Sequence, residues 1–582
     1  MNKPADLSVR DFDHEDTNTS SNPTFESVLS ARLSRRSILR GGFGTAATAV
    51  LGGVGLAACG GSDDDSAPVA PTETPLGFGA VAKSTEDRMS VPAGYTAAVL
   101  LAVGDPIAAG VSAYRGDGTD TGYDQRSGDC HDGMEYSGLS ASGIPDPGSN
   151  DRALLGINHE YINPLFLHPN GPSPNPRPAG ETDIEVDAHG VAVVEIAKAA
   201  GRFAYVQGSA FNRRITGLAE IELAGPVRGH PLAVTKFSTT ATRTRGTINN
   251  CGTGKTPWGT LLTGEENWVG YYFRAAGDQA LRTAKANTAL ARYGRSVTAT
   301  AAAASRYGWE TAGADDKYAR WNTSVTGVSA DGSDDYRHEI NGQGYMTEID
   351  PYSATSVIKK RTALGRMAHE SAVFSKPVVG QPLAVYMGDD NRNDYIYKFV
   401  STQNWAASDA TAANRMATGD KFLDAGKLYV ARFNVDGTGD WLELSLSNPT
   451  VANYASYAFA DAGDVAMHSR LAGDAVGATK MDRPEWCGVH LVTGEVYFTL
   501  TNNSNRRLGT VTGSQLNPDP ANPRVYTDIR GAAITQSGNP NGHIVRMKAT
   551  GATRRPRSPS PGTSTCSAQS RARPPGSSTC RG

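Results

Sequence analysis

The chain is poor in cysteine, with six in 582 residues, and no two of them form a Cys-x-x-Cys pair. That excludes the common structural zinc patterns. No Gly-x-Ser-x-Gly elbow occurs either, so the serine nucleophile of the α/β-hydrolases is not expected. Charge of neither sign dominates: 56 basic residues face 59 acidic ones, a net charge of −3. Such a balance argues against a nucleic-acid or anionic-membrane partner. Long apolar runs are missing too. The one candidate, GGFGTAATAVLGGVGLAA, is short and glycine-rich for a membrane span. No internal repeat of fixed period is visible.

What is present begins at the N-terminus. Ser34-Arg35-Arg36-Ser37-Ile38-Leu39 is a paired-arginine pattern, followed by that mild apolar run. This is the form of a bacterial twin-arginine export signal. Residues 1–59 therefore read as a signal region that meets the twin-arginine translocase and takes the protein to the periplasm or beyond. Leu56-Ala57-Ala58-Cys59 also has the form of a lipoprotein cleavage box. Two readings stand: a lipid on Cys59, giving the protein its only membrane contact, or ordinary cleavage near Ala58. GGSDDDSAPVAPTETP completes a flexible linker over residues 60–75.

From residue 76 onward, short β-rich runs such as HGVAVVEIA, LAVYMGDD, DYIYKFVS and GEVYFTLTNN alternate with Gly/Asp/Asn turns. An all-β fold is expected, and the length favours a β-propeller over a sandwich. Asp278–Gly308, rich in alanine and other helix formers, reads as a helical insertion outside the sheets.

Polar groups gather where the strands should stop. Asn158-His159-Glu160 follows ALLGI, Glu265-Glu266-Asn267 follows GTLL, His369-Glu370 follows LGRMA, and Asp389-Asp390 follows LAVYMG. Asp482-Arg483-Pro484-Glu485 precedes a hairpin that ends in Thr501-Asn502-Asn503. Any one of these is an ordinary turn by itself. Their number is the signal, because oxygen-rich sites suit hard cations such as calcium. Cys251 lies in the tight polar stretch INNCGTGK, upstream of Glu265. One thiolate among carboxylates suits a transition metal, iron above all.

These stretches together resemble the PhoX-type alkaline phosphatases, bacterial enzymes exported by the twin-arginine route. The resemblance runs through NHEYINP, NNCGTGKTPWGTLLTGEEN, KRTALGRMAHE, VYMGDDNRNDYIYKFVS, GATKMDRPEW, TNNSNRR and NPNGHIVR. It implies a β-propeller of six blades and a site of iron (Fe3+) and calcium (Ca2+) ions joined by an oxo group. It implies a metal-dependent hydrolase that releases phosphate from small phosphate monoesters, acting as a monomer. Carried over residue by residue, it makes Cys251, Glu265, Glu370 and Glu485 metal ligands, with Asn158 and Glu160 as further ligands. It gives Arg483 the catalytic role of gripping phosphate oxygens, with Asn502 beside the substrate. His159 and His369 would support the ligands from behind.

The resemblance stops after Met547-Lys548. Residues 549–582 are rich in Arg, Pro, Ser and Gly, as a disordered tail or a shifted reading frame would be. On the second reading residues 76–548 form a propeller domain lacking its C-terminal part, its metal set incomplete and its activity in doubt. The rival from another class is a non-catalytic metal-binding propeller lipoprotein.

Overall fold

The structure, a computed structural model, describes residues 77–82, 84–530 and 534–549, and the backbone of Ser564–Ala568. The export signal, Cys59 and the linker lie outside the described residues. The described residues from 101 onward fall in one compact unit, and those before 101 in another. The sheets of the larger unit are as follows.

The first sheet comprises β1 (His131–Gly138), β2 (Arg152–His159), β3 (Gly190–Ala199), β4 (Arg202–Tyr205) and β5 (Arg213–Ile215), all antiparallel. The second comprises β6 (Glu220–Ala224), β7 (Arg243–Arg245), β8 (Asn250–Lys255), β9 (Leu261–Glu265), β10 (Met346–Ile349) and β11 (Lys359–Arg361). The third begins with the meander β12 (Val373–Phe374), β13 (Pro382–Gly388), β14 (Ile396–Asn404), β15 (Gly426–Phe433) and β16 (Thr438–Glu443). It continues through β17 (Pro484–Val489) and β18 (Val496–Leu500). A separate hairpin follows, β19 (Tyr526–Arg530) with β20 (Ile534–Gly538), and then β21 (His543–Ala549) and β22 (Ser564–Ala568). The arrangement is propeller-like. β8 touches both β1 and β12, and β12 touches β17, so these four strands stand side by side at the centre.

Glycine makes that closeness possible. A Cβ on Gly252 of β8 would fall 0.6 Å from the carbonyl oxygen of Glu370, and one on Gly388 would fall 2.6 Å from that of Pro484. Bare backbone at these positions lets neighbouring blades meet. Between sheets and helices the core is aromatic: Trp258 stacks on Phe422 at 5.6 Å, and both are buried with Phe399 and Leu262.

Two sequence expectations need correction. The helix inside Asp278–Gly308 runs only from Ala284 to Arg292, after a 3-10 turn at Asp278–Leu281. Thr283 caps its start, and Gly294 at φ 74° follows its end. The alanines beyond it lie in irregular chain, one of them bridged to Arg274. The stretch 549–582 is not without structure: Ala549 belongs to β21, and Ser564–Ala568 lies between β16 and β21. The rest of that stretch lies outside the described residues.

Candidate metal centre

Side chains alternate faces along a strand. At the end of a blade strand, consecutive residues therefore serve different layers. Six dipeptides sit at such ends: His131-Asp132, His159-Glu160, Glu265-Glu266, His369-Glu370, Asp389-Asp390 and Asp482-Arg483. In each, the first residue is built into the blade and the second faces a shared central cluster.

The first members are fixed by short bonds. His131 Nε2 lies 2.9 Å from Ser127 Oγ, and its ring is 4.9 Å from that of His159. His159 accepts from the Gly128 amide at 3.2 Å. His369 donates through Nε2 to the Gly365 carbonyl at 2.9 Å. Asp389 accepts from Arg470 at 2.8 and 2.6 Å and from the Ala368 amide at 3.0 Å. Asp482 holds Arg506, Asn503 and Asn539. Glu265, wholly buried, pairs with the wholly buried Lys360 at 2.8 and 3.0 Å. It also accepts from the amides of Gly344 and Tyr345 at 2.7 and 3.1 Å.

Glu265 was the acid of the EEN motif assigned to metal from the resemblance. Its oxygens are instead taken up by Lys360 and backbone amides. The next residue, Glu266, just past the end of β9, faces the cluster.

Cys251 is the hub. Its Sγ lies 3.0 Å from Asp132 Oδ2 and 3.2 Å from both oxygens of Glu370. Ligand atoms of Asp132, Glu160 and Cys251 fall within 4.8 Å of one another, as do those of Cys251, Glu266 and Glu370. Cys130, Cys251 and Cys487 are all free thiols. Arg483 closes the rim, with Nη2 2.5 Å from Asp390 Oδ2 and 3.4 Å from Glu485 Oε1. Its backbone is left-handed, at φ 59°.

So many acids without counter-ions cannot all be charged. Burial, then the neighbouring Glu370 and Asp390, push Glu266 up to about 11. Burial and Asp132 push Glu160 up to about 7. Glu370 is raised well above the carboxylate range by burial, Asp390 and Glu485. The Cys251 thiol is raised by burial and then by Glu370, Glu266 and Asp132. Without cations these groups hold protons; a bound cation reverses that and makes the thiolate. Asp390 Oδ1 is buried with no hydrogen-bond partner among the described residues. A thiol, clustered carboxylates and an orphaned carboxylate oxygen fit metal ions.

The weaker candidates fall elsewhere. Asn158 does not join the cluster but fastens it. Its Nδ2 donates to the carbonyls of Cys251 and Gly252 at 2.6 and 3.1 Å, and its Oδ1 accepts from Thr263 at 2.7 Å. The side-chain oxygen of Asn502 accepts from Arg392 at 3.1 Å. A second grouping, His168, Glu181 and Glu185, already contains the guanidinium of Arg177. Asp132 escaped the sequence reading, which placed Glu266 and Asp390 at strand ends without assigning either to metal. The acid–glycine step in CHDGMEY, read as the same strand-end pattern, would have found Asp132.

A family model described as the alkaline phosphatase PhoX matches residues 76–556. The chain belongs to the PhoX alkaline phosphatase family. Among solved structures, Pseudomonas fluorescens PhoX, in complex with vanadate, a transition-state analogue, is similar to it at a TM-score of 0.67 and 33% identity. The match covers 85% of this chain and 76% of that one. No curated protein matches. As a PhoX enzyme the chain is a hydrolase of phosphate monoesters and depends on metal. The fold is the propeller-like one of PhoX. Among the described residues no helix is long and apolar enough to cross a membrane.

Proposed function

We propose that Asp132, Glu160, Cys251, Glu266 and Glu370, with Asp390 and Glu485 at the rim, hold Fe3+ and Ca2+ together. The single observation behind this is the Cys251 thiol set 3.0–3.2 Å from two carboxylates. Thiolate favours iron and the surrounding oxygens favour calcium. When bound, the ions supply Lewis acidity, offsetting the charge of a phosphate dianion and lowering the pKa of water.

The chain's own residues do the rest. Arg483 spends only Nη2 on Asp390 and Glu485, and its Nε and Nη1 bond no described residue. The open edge of the guanidinium suits forked bonds to phosphate oxygens. Asp390 keeps the guanidinium turned to the cluster. Asn158 holds the Cys251 turn in place from behind. The paired arginines at 35 and 36 support export by the twin-arginine translocase, so that the enzyme works outside the cytoplasm, with Cys59 as the candidate lipid anchor. A single chain carries all of these groups, which favours a monomer.

The test strips the 582-residue chain with chelator and restores iron and calcium singly and together, following a chromogenic phosphate ester. Hydrolysis is expected only with both. Full activity with calcium alone would refute the assignment of iron to Cys251.

A further inference from the structure

Apart from the metal centre, the larger unit holds a partly open cavity of about 120 Å3 beside the helix Ala284–Arg292. Leu232, Ala286, Ala289, Leu290 and Ile340 give it apolar walls. Four cations also line it, and three of them have carboxylates of their own. Arg282 pairs with Asp278 at 2.6 Å, Lys285 with Asp464 at 2.6 Å, and Arg337 with Asp335 at 2.8 Å.

Arg366 is different. It is 2% exposed and has no carboxylate partner among the described residues. Its Nε donates to Met467 O at 2.6 Å, and its Nη1 donates to Ile340 O and Asn341 Oδ1 at 3.2 and 2.9 Å. Nη2 bonds no described residue. The rings of Tyr293 and Trp268 face the guanidinium at 4.2 and 5.2 Å, but buried charges are ordinarily paired with an opposite charge, and no described carboxylate supplies one.

Two histidines that line the same cavity each leave one ring nitrogen free of described partners. His338 Nδ1 lies 3.2 Å from Val234 O, and His468 Nδ1 lies 3.0 Å from Asp464 O, 2.9 Å from Asp464 Oδ1 and 3.1 Å from the Tyr457 hydroxyl. A carbonyl only accepts, so Nδ1 carries the proton in each. The opposite nitrogens, Nε2, keep lone pairs and bond no described residue. His468 is 2% exposed. The wall thus offers one cationic donor and two neutral acceptors around an apolar space. In volume it equals roughly four waters at about 30 Å3 each.

We propose that this cavity binds a small carboxylic acid with a short apolar body, its carboxyl group held by Arg366, His338 and His468. One carboxyl oxygen accepts from Arg366 Nη2. The acid O–H donates to an imidazole Nε2 or passes its proton to that nitrogen. Either way one proton enters with each carboxylate: it stays in the acid O–H, or that O–H bond breaks and an imidazole N–H bond forms. The alkyl or aryl part lies against Leu232, Ala289 and Ile340. Inorganic phosphate fits less well, because the other cations of the lining, Arg282, Lys285 and Arg337, are already held by Asp278, Asp464 and Asp335, and its further oxygens would face Leu232, Ala289 and Ile340. Asp464, Asp278 and Asp335 remain with their own cations, and Tyr457 with Asp464, so they do not compete for Arg366.

The probes are butyrate, benzoate and inorganic phosphate, titrated calorimetrically into the metal-loaded full chain in two buffers of different ionisation enthalpy. One site for butyrate or benzoate is expected, with one proton taken up per ligand. Ala286→Leu, which fills the cavity, should weaken binding at least tenfold while phosphate-ester hydrolysis and metal content stay unchanged. Arg366→Met should abolish binding. Should that variant fail to fold, His338→Phe, which leaves Arg366 in place, should reduce proton uptake and affinity together. No binding of either acid to the wild-type chain would overturn the proposal. So would binding indifferent to Ala286→Leu, or phosphate displacing both acids from the cavity.

Discussion

Glu265 and Glu266 are adjacent and chemically identical, so exchanging each for glutamine separates the two jobs assigned to them. In Glu265→Gln the buried Lys360 loses its only paired carboxylate among the described residues, at 2.8–3.0 Å, while the amides of Gly344 and Tyr345 keep an acceptor. Breaking a buried pair from one side costs about 3–5 kcal/mol, because a charge is left uncompensated. The metal-free protein should therefore unfold several degrees lower. Glu266→Gln does the opposite in the metal-free protein. It removes one acid from a group in which Glu370, Asp390 and Glu160 already oppose its ionisation, so the melting temperature should hold or rise. Once metals are added, Glu266→Gln should bind less and hydrolyse less. Thermal melts with and without chelator, together with metal analysis, read both effects. If Glu265→Gln melts like wild type and loses metal, while Glu266→Gln keeps it, the placement of the two acids is wrong. The double variant Glu265→Gln/Lys360→Met should recover much of the stability lost by the single one, since both members of the pair are then neutral.

Cys251→Ser should retain calcium and lose iron, with hydrolysis falling by orders of magnitude; unchanged iron on metal analysis would count against the thiolate. Gly252→Ala drives a Cβ to 0.6 Å from Glu370 O, so it should cost more than about 4 kcal/mol and lower soluble yield, whereas a wild-type melt would refute the close approach. Asp187, outside the centre, is raised to about 6 by burial, with Asp124 adding to the shift. Its native state keeps a proton that the unfolded chain loses near pH 3.9, so its stabilising contribution is whole below about pH 4 and fades as pH rises to about 6. Asp187→Asn should therefore lose less melting temperature than wild type between those two values; parallel curves would show that the group is not buried as described.

Much of the centre was legible because the strand ends carry their chemistry in adjacent pairs. Cys251 in its polar turn, Glu370 after LGRMA and Arg483 before the hairpin could all be located from composition and order, with the resemblance supplying their roles. Which member of a pair looks inward could not be read. In GTLLTGEEN both glutamates end the same strand, and only the position of Lys360, 95 residues further on, decides that Glu265 is taken. Asp132 was passed over because one acid between histidine and glycine looks like any turn. The alanine-rich insertion misled for a different reason. Helix propensity alone is weak, and a cap at Thr283 with a stop at Gly294 confined the helix to nine residues.

Arg483 occupies a backbone conformation that an L-residue enters at a cost of roughly 1–2 kcal/mol and glycine enters freely. Glycine at this position would relieve that strain but strip the buried Asp390 of its guanidinium, and breaking a buried pair from one side costs more. Laboratory evolution for heat resistance, run without an activity screen, should therefore reach Arg483→Gly only together with a neutral residue at 390, and the result no longer holds its substrate. The same site then sets an upper bound on how stable a working version of this enzyme becomes by changes at the rim, and further gains must come from the blades.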